Sequence, residues 1–150
     1  MLKRSNKLFL LIALIILIII GRYTILKDAV VAMPIVTAVT NDQQLPSIRG
    51  SYCWQSNGEA VCVDTAAPHE MVMQQNHPYI KVKPNETIEF KYDQSPTNIT
   101  IQQWIADFDY KEIATTARFT APAEKGKYII TAFGRFANGD LTDTIAIEVE

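Results

Sequence analysis

The sequence predicts an all-β chain, a β-sandwich carried behind one apolar N-terminal helix, and three observations predict it. From Pro46 onward, short runs rich in Val, Ile, Thr, Tyr and Phe recur with turn residues between them. Two Asn-Gly pairs, Asn57-Gly58 and Asn138-Gly139, each separate two alternating apolar segments. Leu8–Ile20 is thirteen consecutive apolar residues behind Lys3, Arg4 and Lys7, a basic region followed by an apolar one.

The head comes first. The chain has 150 residues with fourteen Lys+Arg against sixteen Asp+Glu, and this near balance is the sum of two unlike pieces. Residues 1–27 hold five basic residues and no acid, which leaves nine basic against sixteen acidic residues, a formal −7, in residues 28–150. An acidic body lacks the basic patch that phosphate contacts require, so nucleic acid is not an expected partner. A bilayer span needs about 20 residues, and Tyr23, Ile25 and Leu26 prolong the apolar character beyond Ile20. Residues 1–27 therefore read as a transmembrane signal-anchor. The best A-x-A-like cleavage site, Val30-Val31-Ala32, stands well behind the apolar run, so secretion after cleavage is the alternative. Three basic residues before the run against Arg22 and Lys27 after it place the N-terminus in the cytoplasm and the remainder outside.

Residues 28–47 show neither a helical stripe nor clean alternation and read as a linker with an edge strand at Ile35–Val39. Residues 48–150 read as the β domain. Candidate strands are 50–56, 59–64, 79–83, 86–92, 98–105, 112–119, 127–136 and 141–149, about the number a β-sandwich contains. No helix of ten residues or more is expected in this body.

Two hairpins can be registered by counting. With Asn57-Gly58 as a type I′ loop, Trp54 faces Val61 and Cys53 faces Cys62. The cysteines then share a non-hydrogen-bonded position, where Cα atoms lie about 4.5 Å apart, and a Cys53–Cys62 disulfide is expected, in keeping with an oxidising compartment. With Asn138-Gly139 as the second loop, Ala132 faces Ile145, Ile130 faces Ile147 and Tyr128 faces Val149, all on one face. Thr131, Arg135, Thr144, Ala146 and Glu148 fall mainly on the other, the one-sided alternation of a sheet packed on a core.

These residues carry a resemblance. Gly126-Lys-Tyr128 through Phe136, the Asn-Gly turn and an alternating last strand resemble the closing hairpin of bacterial immunoglobulin-like domains, as Ile80-x-Val82-x-Pro84-Asn85-Glu86-Thr-Ile88-x-Phe90 resembles their early strands. The resemblance implies an immunoglobulin-like sandwich with Tyr128 as a tyrosine corner. It does not extend to the Cys-Trp-Cys pattern of antibody domains. Gly50-Ser-Tyr-Cys-Trp54 with Val61-Cys-Val-Asp64 is similar to a motif of uncharacterised membrane-anchored or lipoprotein-type surface proteins of Bacillus-like bacteria, which implies a surface placement and no activity.

Little in the chain reads as chemistry. His69 and His77 are the only histidines; no nucleophile motif accompanies them, and an enzyme is not expected. On an extended segment His69, Met71, Met73 and His77 would share one face, and thioether with imidazole suits Cu(I). The simpler reading makes the methionines core residues of a strand and His77 part of the turn before Pro78; no cofactor is expected. Asp107, Asp109 and Glu112 lack the spacing of a calcium loop and read as a solvated turn. Tyr52, Trp54, Val61 and Val63 share the hairpin face opposite the cysteines. With Asn57 and Gly58 that face is either an interaction patch or the hairpin's contact with the sandwich. The expected function is a non-catalytic extracytoplasmic module, tethered to the membrane by its helix, that binds a protein or cell-envelope component. The alternatives are an inhibitor or accessory subunit using the hairpin as a projecting wedge, and a copper-binding protein.

Overall fold

The computed structural model describes residues 2–27, 30–106 and 108–150, and within the N-terminal helix it describes the side chains of residues 9–22. Contacts divide the chain into two units, residues 1–32 with Gln55–Glu59, and Met33–Trp54 with Ala60–Glu150. The first contains α1, Leu2–Lys27, which at 1.5 Å per residue is about 39 Å long. Every large apolar side chain from Phe9 to Ile20 is exposed, so this described stretch has no polar stripe to turn toward water. Among the residues with described side chains, no helix is long and apolar enough to cross a membrane. In the same unit the Val31 amide donates to Ser56 Oγ at 2.9 Å.

The second unit is built of two sheets. The smaller contains β1 (Val36–Val39), β2 (Gln44–Leu45), β6 (Thr87–Tyr92) and β9 (Arg118–Thr120), in the order β2-β1-β6-β9. The larger contains β3 (Ile48–Ser56), β4 (Glu59–Val63), β7 (Asn98–Ala106), β8 (Asp109–Ala114), β10 (Gly126–Phe136) and β11 (Gly139–Val149), in the order β4-β3-β11-β10-β7-β8. A short β5 (Ile80–Val82) joins it by pairing in parallel with the end of β11. One core lies between the sheets. Ala38, Leu45, Ile88, Phe90 and Phe119 of the smaller sheet meet Ile101, Ile130, Ala132, Ile145, Ile147 and Val149 of the larger. Alternation puts these side chains on one face, as the sequence predicts for β6, β10 and β11.

β11 holds the larger sheet together. Along one edge it pairs with the whole of β10. Its other edge is divided, with Gly139–Thr144 against β3 and Ile147–Val149 against β5. The β3 pairing shifts register between Leu141 and Asp143, a bulge that sets Arg49 opposite Asp143. Buried Gly50 sits at this shift, where a Cβ would run into the Thr142 hydroxyl.

Several expectations are corrected. The second hairpin closes one residue earlier than counted, which moves the register by two: Phe136 pairs with Gly139, leaving Ala137-Asn138 as the loop, and Ile130 faces Ile145 where Ile147 was expected. A shift of two keeps every side chain on its face, so the core is unchanged. Neither loop residue has positive φ; Gly139 does, at 149°, because the β3 backbone approaches there. A Cβ at position 139 would collide with the Cys53 carbonyl oxygen.

The run 112–119 is two strands: β8 in the larger sheet and β9 in the smaller, separated by bends at residues 115–117. Within residues 28–47, β1 lies between β2 and β6, an interior strand where an edge strand was expected. Its Ala38 is wholly buried. The segment read as extended around Met71 is a short helix, α2 (Pro68–Gln74), with Pro68 in its first turn where proline is tolerated. α2 covers the outer face of the larger sheet, its Met71 and Val72 packing with Ile48, Ile129 and Ala146. The outward residues Thr131 and Thr144 are therefore buried as well, and satisfy each other through a 2.8 Å hydroxyl contact.

Replacing Gly139 with Ala should lower stability by about 2–3 kcal/mol, since a side chain there displaces β3 from β11. The urea midpoint measures it, and an unchanged midpoint would contradict the close approach.

Candidate functional site

The stapled hairpin forms as counted. Asn57 and Gly58 take φ of 53° and 76°, the left-handed values a type I′ loop requires. Cys53 and Cys62 are disulfide-bonded with Cα atoms 4.0 Å apart. Both cysteines are exposed, as are Asn57 and Gly58 at the tip.

The face opposite the disulfide is divided. Trp54 is buried, its ring edge-on to Phe136 at 5.8 Å, and Phe136 in turn lies 5.7 Å from Tyr92. Tyr52 is half-buried opposite Leu141, while Val61 is exposed. The structure thus assigns Trp54 to the sandwich core and leaves Asn57 and Gly58 at the surface. Of Tyr52, Trp54, Asn57 and Gly58, Asn57 and Gly58 are the exposed pair.

The His69–His77 segment does not present the single face expected of it. On a helix, residues two apart point to nearly opposite sides, so Met71 is buried under α2 while Met73 is 70% exposed. His77 lies beyond the helix, its Nε2 3.1 Å from the Pro46 carbonyl oxygen. Among the described residues no three His, Cys, Asp or Glu side chains gather as a metal site. Asp109 and Glu112 belong to strand β8 where a turn was expected, and Asp107 lies outside the described residues. At the head of β10, Tyr128 Oη donates to the Glu124 carbonyl oxygen at 2.9 Å, a hydroxyl reaching back four residues as a tyrosine corner does.

A buried charged cluster escapes sequence reasoning. Arg49 Nε donates to both oxygens of Asp143 at 3.0 and 3.2 Å. Its Nη2 donates to the Pro34 carbonyl oxygen and its Nη1 reaches Met33 Sδ, each at 2.8 Å. The guanidinium thereby ties the entering segment Met33–Pro34 to β3 and β11. The Asp143 side chain is 4% exposed. Burial pushes its carboxyl up to about 6, and the charge and hydrogen bonds of Arg49 only partly offset this. Burial likewise raises the Tyr92 phenol above its ordinary range, reinforced by Asp143 and opposed by Arg49. Tyr92 Oη is buried with no hydrogen-bond partner among the described residues. Arg49 and Asp143 are 94 positions apart, and only the β3–β11 register brings them together.

On the outer face of the larger sheet a groove of about 240 Å³ runs between the segment Thr65–Met71 and the end of the β7–β8 hairpin. Gln102, Thr131 and Thr142 lie beneath it, and Trp104 and Phe108 form one wall. Trp104 packs against Tyr110 with ring centroids 5.2 Å apart. Sequence reasoning does not find this site, because placing it needs the helical fold of 68–74. Compared with known protein families, curated proteins and solved structures, the chain shows no match.

The Asp143 carboxyl fixes a pH dependence. Between about pH 3.8 and about pH 6 the folded chain keeps a proton that the unfolded chain has released, so this group's contribution is fully present below that window and is lost as pH rises through it. The stability of the protein relative to Asp143→Asn should therefore fall by about 2–3 kcal/mol across the window. Urea denaturation of both proteins at each end measures this, and a pH-independent difference would contradict it.

Proposed function

We propose that the chain is a membrane-tethered, extracytoplasmic, non-catalytic binding module built on an immunoglobulin-like sandwich. The observation that carries the reading is the exposed Cys53–Cys62 staple, because disulfides persist where the surroundings are oxidising. The apolar run Leu8–Ile20 supports the tether: a helix of 26 residues with exposed apolar side chains around it suits hydrocarbon better than water. The flanking charges Lys3, Arg4 and Lys7 favour a cytoplasmic N-terminus.

Topology supports the immunoglobulin-like assignment. From Ile80 onward, β6 and β9 pair in one sheet while β7, β8, β10 and β11 pair in the other, with β5 parallel to β11. The Tyr128 corner and the closing β10–β11 hairpin belong to the same pattern. On this reading β1–β4 are an N-terminal elaboration, and the likeness to surface proteins of Bacillus-like bacteria fits the same placement. With Trp54 in the core, the hairpin is bound to the domain through its base, which argues against a free wedge.

A C-terminal alkaline phosphatase fusion tests the placement in a bacterial host. Activity in the phosphatase fusion and none in the matching cytoplasm-active reporter are expected. The reverse pattern would overturn the extracytoplasmic placement.

A further inference from the structure

Three aromatic rings gather at one end of the larger sheet. Trp104 and Tyr110 are opposite each other in register on β7 and β8 and in ring contact. Phe108, at the turn between the strands, is 90% exposed and has φ of 64°, a left-handed conformation that bulky side chains rarely adopt. A large apolar ring left in water beside a groove, on backbone that does not favour it, is the kind of feature found at binding surfaces.

Acid lies close to the rings, and the cation of β10 on the same face, Lys127, already sits over the Tyr79 ring at 4.9 Å. Gln102, beneath the groove, is opposite Glu112 in register, and residues two apart on a strand share a face. Glu112 therefore lies on the face of Trp104 and Tyr110. It is exposed and has no ion-pair partner among the described residues. Among the described residues no Lys or Arg lines the groove. Lys111, the one cation of β8, lines the hollow on the other side of the sheet with Gln103 and Tyr128. Aromatic faces attract cations, and an adjacent unpaired carboxylate adds to that attraction. Anionic ligands meet the opposite field.

We propose that the Trp104–Phe108–Tyr110 surface and its groove receive a cationic segment of a protein partner, a Lys or Arg held over the rings beside Glu112 and an apolar neighbour seated in the groove. The proposal rests on the binding-module reading and names the chemistry of the partner.

The test uses the full chain in non-ionic detergent. It is titrated with a short amidated peptide alternating Lys and Leu, and with its counterpart alternating Glu and Leu, while intrinsic tryptophan fluorescence is followed. Saturable binding of the Lys peptide alone is expected, weakened about tenfold or more by Phe108→Ser and by Glu112→Lys and unchanged by Val61→Ser on the other hairpin. Both of the weakening substitutions fall on exposed side chains, and unchanged circular dichroism confirms that they fold. Absence of binding, equal binding of the Glu peptide, or indifference to both substitutions would overturn the proposal. The outcome is separable from the placement. An outward-facing reporter with no peptide binding defeats only this surface, whereas an inward-facing reporter defeats the placement whatever the peptide does.

Discussion

The second unit depends on β11 having two usable edges. One edge is committed along its length to β10, and the other is shared by β3 and the parallel β5. On a strand paired on both sides and packed on both faces a buried polar side chain needs a partner, as Thr144 and Asp143 have, and Leu141, Ile145 and Ile147 are wholly buried. The constraint is sharpest at Gly139, where the β3 carbonyl of Cys53 comes too close for any side chain. Through that contact the hairpin base, the Trp54–Phe136 packing and the staple are all registered against the sandwich.

The same pairing creates the most costly feature of the interior. Asp143 is the one acidic residue of β11 that is buried, and it is buried because the register sets it against Arg49. A buried carboxylate loses more hydration than one partner returns, which explains why its proton affinity rises despite a guanidinium at 3.0 Å. What the arrangement supplies is specificity. The guanidinium binds two further acceptors, Met33 Sδ and the Pro34 carbonyl oxygen, so the segment leading into the domain is fixed at one position on the sheet. Wholly buried Pro34 completes that attachment.

Much of this architecture is legible in the residues, and the limits have physical causes. The first hairpin and its disulfide follow from local chemistry alone: Asn57-Gly58 dictates a turn type, and the turn sets Cys53 opposite Cys62. The second Asn-Gly pair looks the same but folds differently, because Gly139 answers to β3 across the sheet and not to its own turn. β1 was not readable as an interior strand since its partner β6 is about fifty residues away in sequence. The segment 68–74 alternates well enough for a strand, yet Pro68 opens a helix and the apolar outer face around Ile129 and Ala146 gives that helix a surface to cover. Once it is helical, the shared face of His69, Met71, Met73 and His77 dissolves and the groove beside Trp104 appears. Both outcomes depend on packing that no local pattern reports.

The exposed Cys53–Cys62 staple makes the proposed placement in an oxidising compartment outside the membrane open to direct measurement. The most direct measurement is the thiol state of the chain in its own cells, by acid quenching, labelling with a mass-tagged maleimide, and comparison with a reduced sample. No labelled thiol before reduction and both cysteines labelled after it are expected. Two labelled cysteines in the unreduced sample would contradict the placement.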